Sequence, residues 1–229
     1  MTIAENIRVV TEKIRLACES SSRGPDSVKV VAVSKTVGIG KIAEAVAAGL
    51  TVFGENRVQE AWQKYQASEL DVEWHMIGHL QSNKVRRTLQ FADMIQSVDS
   101  VKLAREIDLE AGRLDRQVPV LIQVNCSGEE SKFGFAPQDT PQALEEIVTL
   151  PRLSVRGLMT IGAHSADELK VRRSFESLRK LRDKLMAHQF PDVDLSELSM
   201  GMSGDFAIAI EEGSTLVRIG RSIFGERLN

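Results

Sequence analysis

The pattern that organises this chain is first seen in VKVVAVSKTVGIGKIAEAVAAGLTVF (28–53). Its first part, 28–34, is a continuous run of β-branched and small apolar residues, which predicts a buried strand. Residues 41–49 carry apolar side chains at helical spacing and end at Gly49, a residue suited to the end of a helix. The apolar run at 51–53 predicts a second strand. The strand–helix–strand order predicts that the two strands are parallel.

The same alternation continues along the whole chain. Strands are predicted at 28–34, 51–53, 74–77, 93–98, 118–125, 153–160, 195–200 and 215–220. Helices are predicted at 41–49, 56–65, 81–89, 100–112, 140–150, 167–188 and 205–213, with an extra N-terminal helix at 2–19. Eight strand–helix units in 229 residues favour a closed barrel over an open sheet. We therefore predict an α/β protein with a single (β/α)8 TIM-type barrel, one domain spanning residues 1–229.

Composition narrows the class of protein. The chain is 42% hydrophobic and 27% charged, and its net charge of −3 leaves no basic excess to attract nucleic acid or anionic lipid. No apolar run approaches the ~20 residues that cross a bilayer, and the charged N-terminus is unlike a signal peptide. We predict a cytoplasmic protein without nucleic-acid or membrane partners. Cys18 and Cys126 form no paired motif and the histidines lack metal-ligand spacing, so no metal site is predicted.

Lys35 is the first candidate for chemistry, because barrel active sites lie at the C-terminal ends of the strands. It directly follows the first predicted strand and shares its parity with Val31 and Val33, so the three point to one face. If that face is the barrel interior, the amine emerges at the mouth, where desolvation favours a Schiff-base nucleophile. The alternative is a solvated surface lysine.

Two glycine-containing segments follow the last two strands, where barrels repeatedly bind phosphate. SMGMSGD (199–205) supplies small residues and hydroxyl groups before a helix, and RIGRSIFG (218–225) supplies Gly220, which permits close backbone approach. The N–H groups at the helix starts suit a phosphate. Each segment could instead be an ordinary turn, with Ser203 or Asp205 capping the helix. Their joint position favours a phosphate site.

Arg218 lies at the end of the eighth predicted strand, two residues before Gly220. A bound pyridoxal 5′-phosphate (PLP) needs a partner for its pyridine nitrogen. Because arginine keeps its proton, Arg218 could donate to an unprotonated ring nitrogen but could not stabilise a protonated one. The alternative is an arginine paired with an acid inside the barrel.

Six segments carry a family resemblance: VAVSKT (31–36), GENRVQE (54–60), WHMIGHLQSNK (74–84), GLMTIG (157–162), LSMGMSGD (198–205) and VRIGRSIFG (217–225). Together, and in this order, they resemble the pyridoxal phosphate homeostasis protein family. The resemblance implies PLP fold type III, a barrel similar to the N-terminal domain of bacterial alanine racemase. It also implies that Lys35 holds PLP as a Schiff base.

The resemblance assigns further cofactor-binding residues. The racemase pattern places a phosphate-binding serine fifteen residues before the arginine at the pyridine nitrogen, and here this is Ser203 before Arg218. Backbone groups of Gly220 and Arg221 complete the phosphate site. The remaining candidates near the cofactor are Asn56, His75, Ser199 and Gly204.

A carrier is favoured over an enzyme. Racemases add a second domain with a catalytic tyrosine, whereas this chain ends at Asn229 and its one tyrosine, Tyr65, falls on an outer helix. We expect a monomer without catalytic residues that buffers PLP in vitamin B6 and amino-acid homeostasis and delivers it to apo-PLP enzymes. The alternative is a small PLP-dependent racemase or decarboxylase of weak or narrow activity. A third interpretation is a class I aldolase-type barrel.

Overall fold

The computed structural model describes residues 1–129, 131–188, 190 and 193–225. Within them, parallel strands close into a barrel in chain order, and β1 pairs with β8. The predicted (β/α)8 barrel is therefore confirmed. The strands are β1 Lys29–Val33, β2 Val52–Glu55, β3 Glu73–Met76, β4 Met94–Val98, β5 Val118–Gln123, β6 Leu153–Met159, β7 Glu197–Met202 and β8 Leu216–Ile219.

Helices surround the barrel and connect successive strands. They are α1 Ile3–Ser20, α2 Ile39–Ala47, α3 Val58–Gln66, α4 Val85–Thr88, α5 Val101–Arg113, α6 Thr140–Ile147, α7 Glu168–Ala187, α8 Phe206–Glu211 and α9 Arg221–Phe224. Short 3-10 turns precede β1 and α4, at Pro25–Ser27 and Ser82–Lys84. Among the helices that the structure describes, none is both long and apolar enough to span a bilayer.

The extra N-terminal helix, α1, is also confirmed. Its start is stabilised by a reciprocal pair of bonds, in which the Thr2 hydroxyl accepts from the Glu5 amide and the Glu5 carboxylate accepts from the Thr2 amide. Its apolar face is buried, and the helix packs against α8 and α9. The Asn6 amide donates to the Ile223 carbonyl at 2.9 Å. The helix therefore covers the region where the barrel closes.

Two apolar clusters stabilise the barrel. The cluster inside it takes side chains from several strands: Val31, Val52, Ile77, Leu121, Met159 and Leu216. The larger cluster lies between the outer face of the strands and the helices, and includes Phe53 and Trp74, whose ring centroids are 5.9 Å apart. Because both faces of each strand are covered, the strands carry near-continuous apolar runs.

Three predicted elements differ from the structure. The seventh strand was predicted at 195–200 but is Glu197–Met202, because the Ser196 amide donates to Asp194 and turns the chain just before it. The predicted helix at 81–89 is divided into the 3-10 turn and α4, and α6 ends three residues before the predicted 150. Other boundaries agree within two residues.

Candidate cofactor site

Lys35 lies directly after β1, at the C-terminal mouth of the barrel, and is half-buried. The strand ladder extends to Ser34, whose amide donates to the Gly54 carbonyl at 3.1 Å. Val31 belongs to the cluster inside the barrel, and Val33 packs against that cluster. The residues that share Lys35's parity along the strand are thus on the interior side.

The two loops predicted to bind phosphate lie side by side at the same mouth. The Ser203 hydroxyl, between β7 and α8, accepts from the Ser222 amide of α9 at 3.4 Å. The adjoining turn is closed by Asp205, whose carboxylate accepts from the Met202 amide at 2.6 Å. Burial raises the pKa of Asp205 above its ordinary value, against the opposing hydrogen bond from Met202.

Unused hydrogen-bond donors converge at these loops. Within the described part of the chain, the amides of Ser203, Gly204 and Arg221 donate to no protein acceptor. At Gly220, an added methyl group would lie 3.2 Å from the Val33 carbonyl oxygen, so a side chain there would crowd β1. Several free amides beside one hydroxyl are the donor set that a phosphate requires. The residues present therefore fit the phosphate of PLP.

Arg218, in β8, is buried at the end of the barrel interior, only 4% exposed. It donates to the Ser199 hydroxyl at 2.6 Å and to the Thr160 carbonyl at 2.7 Å. Both acceptors are neutral, and Asp205 acts on Arg218 only through its charge. Burial lowers the pKa of Arg218 to about 10, so it stays protonated at neutral pH. A guanidinium has more N–H donors than these two bonds use, which leaves some for a ligand.

A hydrogen-bonded chain crosses the barrel interior from Arg218. The Ser199 hydroxyl donates to the Gln96 carbonyl oxygen at 2.6 Å, and the Gln96 amide nitrogen lies 2.8 Å from Nδ1 of His75. Because an amide nitrogen only donates, His75 Nδ1 is the acceptor and the ring proton is on Nε2. That nitrogen faces the Glu73 carboxylate at 3.6 Å. The hydrogen-bonded chain thereby links β8, β7, β4 and β3 across the barrel interior.

Asn56 follows β2 and presents an unpartnered acceptor. Its side-chain oxygen is buried and has no hydrogen-bond partner among the described residues. Its backbone is covered by Gly78, where an added methyl group would lie 2.4 Å from the Asn56 carbonyl oxygen. A buried amide oxygen without a donor is costly unless a ligand or water satisfies it. This is a second feature consistent with a ligand at the mouth.

The rim of the mouth carries an aromatic pair. The His79 ring stacks on Phe133, with centroids 3.8 Å apart and an interplanar angle of 11°. His79 Nδ1 lies 2.8 Å from the Asp99 carboxylate. In the part of the chain that is described, no three His, Cys, Asp or Glu side chains come together as a metal site.

The predicted site residues fall into two groups. The first group lies at the mouth of the barrel or at its floor: Lys35, Asn56, Ser203, Gly204, Arg218, Gly220 and Arg221. Ser199 lies within β7, in agreement with the strand predicted at 195–200, and with His75 it belongs to the interior chain behind Arg218. Sequence reasoning missed Gln96, although a glutamine inside the apolar run MIQSV (94–98) is a detectable signal. It also missed Asp99 and Phe133.

Comparison with known proteins defines the class first. The family model "Alanine racemase, N-terminal domain" matches residues 3–228, in agreement with the closed parallel barrel. The pyridoxal phosphate homeostasis protein of Aquifex aeolicus (strain VF5) is 45% identical over 228 residues, which cover 99% of each chain. That of Vibrio alginolyticus is 43% identical over 231 residues, covering 99% of this chain and 98% of its own. The chain belongs to the pyridoxal phosphate homeostasis protein family.

A solved structure shows the same fold with a ligand. PipY of Synechococcus elongatus PCC7942, with PLP bound, has a TM-score of 0.85 and 36% sequence identity. The match covers 98% of this chain and 100% of PipY.

Proposed function

We propose that this protein binds PLP at the barrel mouth, through a Schiff base to Lys35, and acts in PLP homeostasis as a carrier or buffer. The observation that carries the proposal is the convergence of Lys35, unpartnered amides and a buried arginine at one end of the barrel. The PLP bound to PipY, a relative covered over its whole length, supports the same ligand. In the covalent step, the Lys35 amine condenses with the PLP aldehyde, a C=N bond forms and one water leaves.

Each part of the cofactor has a proposed partner. The phosphate lies against the Ser203 hydroxyl and the amides of Gly204, Gly220 and Arg221, because charge-assisted hydrogen bonds to a phosphate are individually strong. Arg218 faces the pyridine nitrogen with the donors that its bonds to Ser199 and Thr160 leave over. Asn56 lies near the ring. In this assignment His75 and Ser199 contribute indirectly, through Gln96 and Arg218.

The proposed carrier role is compatible with Arg218, which would limit the chemistry that bound PLP can support. PLP, when bound, supplies an electron sink whose strength depends on protonation of the ring nitrogen. A guanidinium at that nitrogen keeps it unprotonated, since arginine does not give up its proton, and so weakens the sink. We further propose that apo-PLP enzymes are the acceptors, and that the protein is a cytoplasmic monomer whose residues 1–229 form one PLP-binding domain.

Borohydride reduction followed by peptide mass spectrometry tests the attachment site. The reduced protein is expected to carry one phosphopyridoxyl group on the peptide containing Lys35. The internal controls are Lys41 and Lys84. Both belong to segments that follow barrel strands, but neither is part of the proposed site. A label found mainly on either of them would refute the assignment.

A weak PLP-dependent enzyme is the second candidate, and one observation favours it. His79 is hydrogen-bonded to Asp99 at the rim, with 38% of the His79 side chain exposed. A histidine oriented by a carboxylate is a common general base. Proton abstraction from an amino acid would require such a group.

The two candidates separate in a paired measurement. We expect the loaded protein to transfer PLP to an apo-PLP enzyme and to show no racemisation or decarboxylation of amino acids. Turnover that is lost in His79→Gln, without PLP transfer by the wild-type protein, would favour the enzyme.

A further inference from the structure

A buried charged cluster lies beside the segment that carries Lys35. Its centre is the Lys64 ammonium of α3, which donates to the Ser34 carbonyl, to Glu55 and to Glu60, each at 2.6 Å. The exposed fractions of the side chains are 10% for Lys64, 0% for Glu55 and 24% for Glu60. We call Ser34, Glu55, Glu60 and Lys64 the Lys64 cluster.

The Lys64 cluster binds the backbone on both sides of Lys35. Before it, the Ser34 carbonyl accepts from Lys64, and the Ser34 hydroxyl donates to Glu55 at 2.6 Å. After it, the Thr36 amide donates to Glu60 at 2.5 Å. Thr36 has a φ of 63°, a left-handed conformation that is unfavourable for a β-branched residue. The strained turn is therefore held in place by charged hydrogen bonds.

The Lys64 cluster is not expected to add much to the free energy of folding. It joins two carboxylates to one ammonium, and the second oxygen of Glu55 is buried without a partner among the described residues. Burial raises the pKa of Glu55, against hydrogen bonds from Lys64 and Ser34 that lower it. Apolar residues commonly replace buried ion clusters with no loss of stability. What this cluster adds is a defined geometry for the backbone around Lys35.

We propose that Glu55, Glu60 and Lys64 are positioning residues that orient Lys35 for covalent attachment of PLP, an inference that rests on the function proposed above. They act through the backbone of Ser34 and Thr36, and among the described residues none of the three is hydrogen-bonded or ion-paired to the phosphate loops or to Arg218. Preorganisation of this kind stabilises the covalent state because less conformational entropy is lost when the bond forms. The phosphate site should be independent of the cluster.

A double-mutant cycle with Lys64→Met and Lys35→Ala tests the proposal. PLP affinity is measured by equilibrium dialysis for the wild type, both single variants and the double variant. With Lys35 present, Lys64→Met should weaken PLP binding about tenfold. This is the fold-change expected when one or two side chains are no longer held in place before the ligand binds. With Lys35 replaced, the same change should alter affinity less than about twofold. Equal weakening in both backgrounds, or none in either, would overturn the proposal.

Three further variants separate the role of the Glu60 oxygen from a general loss of folding. Glu60→Gln keeps an oxygen that can accept from Thr36 and Lys64, so we expect near wild-type affinity, whereas Glu60→Ala should resemble Lys64→Met. Lys180→Met removes an exposed ion pair with Glu176 on α7 and should change nothing. A Glu60→Gln variant as weak as Glu60→Ala would show that the oxygen acceptor is not what matters.

Hydrogen exchange of the apo protein separates failure of this inference from failure of the proposed function. The peptide containing Thr36 should exchange faster in Lys64→Met and Glu60→Ala than in the wild type. If the wild type bound no PLP, the proposed function would fail, whatever the exchange rates. If the wild type bound PLP covalently but exchange and affinity were unchanged in both variants, only the positioning role would be lost.

Discussion

Lys29 and Lys35 stand at opposite ends of β1 with the same parity, yet their surroundings differ. Lys29 is exposed beside the exposed Glu73, at a shallow cavity of about 260 Å³ at the N-terminal end of the barrel. Lys35 is half-buried at the other end, with its neighbours anchored by the Lys64 cluster. Both ends carry charges, and the mouth combines a buried arginine with amides that have no protein acceptor among the described residues.

The comparison shows which property identifies a site. Charged side chains at the N-terminal end are solvated, so water already satisfies them. At the mouth, burial removes water from Arg218 and Asn56, and their remaining hydrogen-bonding capacity has to be met by something else. The two ends therefore differ less in charge than in the buried polar groups of the mouth, whose hydrogen-bonding capacity is not fully used by the described residues.

The largest difference is expected when Lys35 and Lys29 are replaced in separate variants and covalent labelling by PLP is measured. Lys35→Ala should abolish the phosphopyridoxyl label after borohydride reduction, whereas Lys29→Ala should carry a full label, as read by intact-protein mass spectrometry. Lys35→Ala should still bind PLP, more weakly, because the phosphate site does not include the lysine. Equal labelling of the two variants would remove the distinction between the ends of β1.

The next test compares a buried charge with an exposed one. Arg218→Met leaves the Ser199 hydroxyl and the Thr160 carbonyl without their donors, which should lower the free energy of unfolding by about 1–3 kcal/mol. Glu73→Gln, at a side chain that is 61% exposed, should change it by less than about 0.5 kcal/mol. Urea unfolding of the apo proteins measures both, and similar values for the two variants would contradict the assigned burial.

Gln96 provides a test of the interior chain. Gln96→Leu removes the partner of both Ser199 and His75, so we expect a loss of about 1–2 kcal/mol in the free energy of unfolding. PLP affinity should fall as well, because Arg218 loses part of its support. The matched control is Gln117→Leu at the exposed N-terminal end, where the Gln117 side chain donates to the Pro151 carbonyl. A Gln96 variant as stable as this control would show that the chain is dispensable.

The smallest effect is expected for a single hydroxyl of the phosphate site. Ser203→Ala should weaken PLP binding by about 0.5–1.5 kcal/mol, the usual contribution of one hydrogen bond. Ser196→Ala, an exposed serine before β7, should leave the affinity unchanged. Isothermal titration of both variants provides the comparison. No change in Ser203→Ala would assign the phosphate contacts to the amides alone.

Much of the architecture was predictable because helices and strands each impose a local spacing on apolar residues. Apolar runs and helical spacing located every strand and the main helices, and the strict alternation of the two implied a parallel barrel. The start of β7 was misplaced because the turn at Asp194 and Ser196 depends on one side-chain bond that has no periodic signature.

The amino-acid sequence alone was enough to indicate the barrel, its mouth and the segments containing Lys35, Ser203 and Arg218, since strand order determines which chain segments meet there. It could not reveal that Gln96 links Ser199 to His75. Nor could it reveal that Lys64 bonds to the Ser34 carbonyl before Lys35 and to Glu60, which accepts from the Thr36 amide after it. Such contacts join residues far apart in the chain, with Ser199 separated from Gln96 by 103 positions. They form only once closure of the barrel removes water and brings the partners within hydrogen-bond distance, which no local pattern encodes.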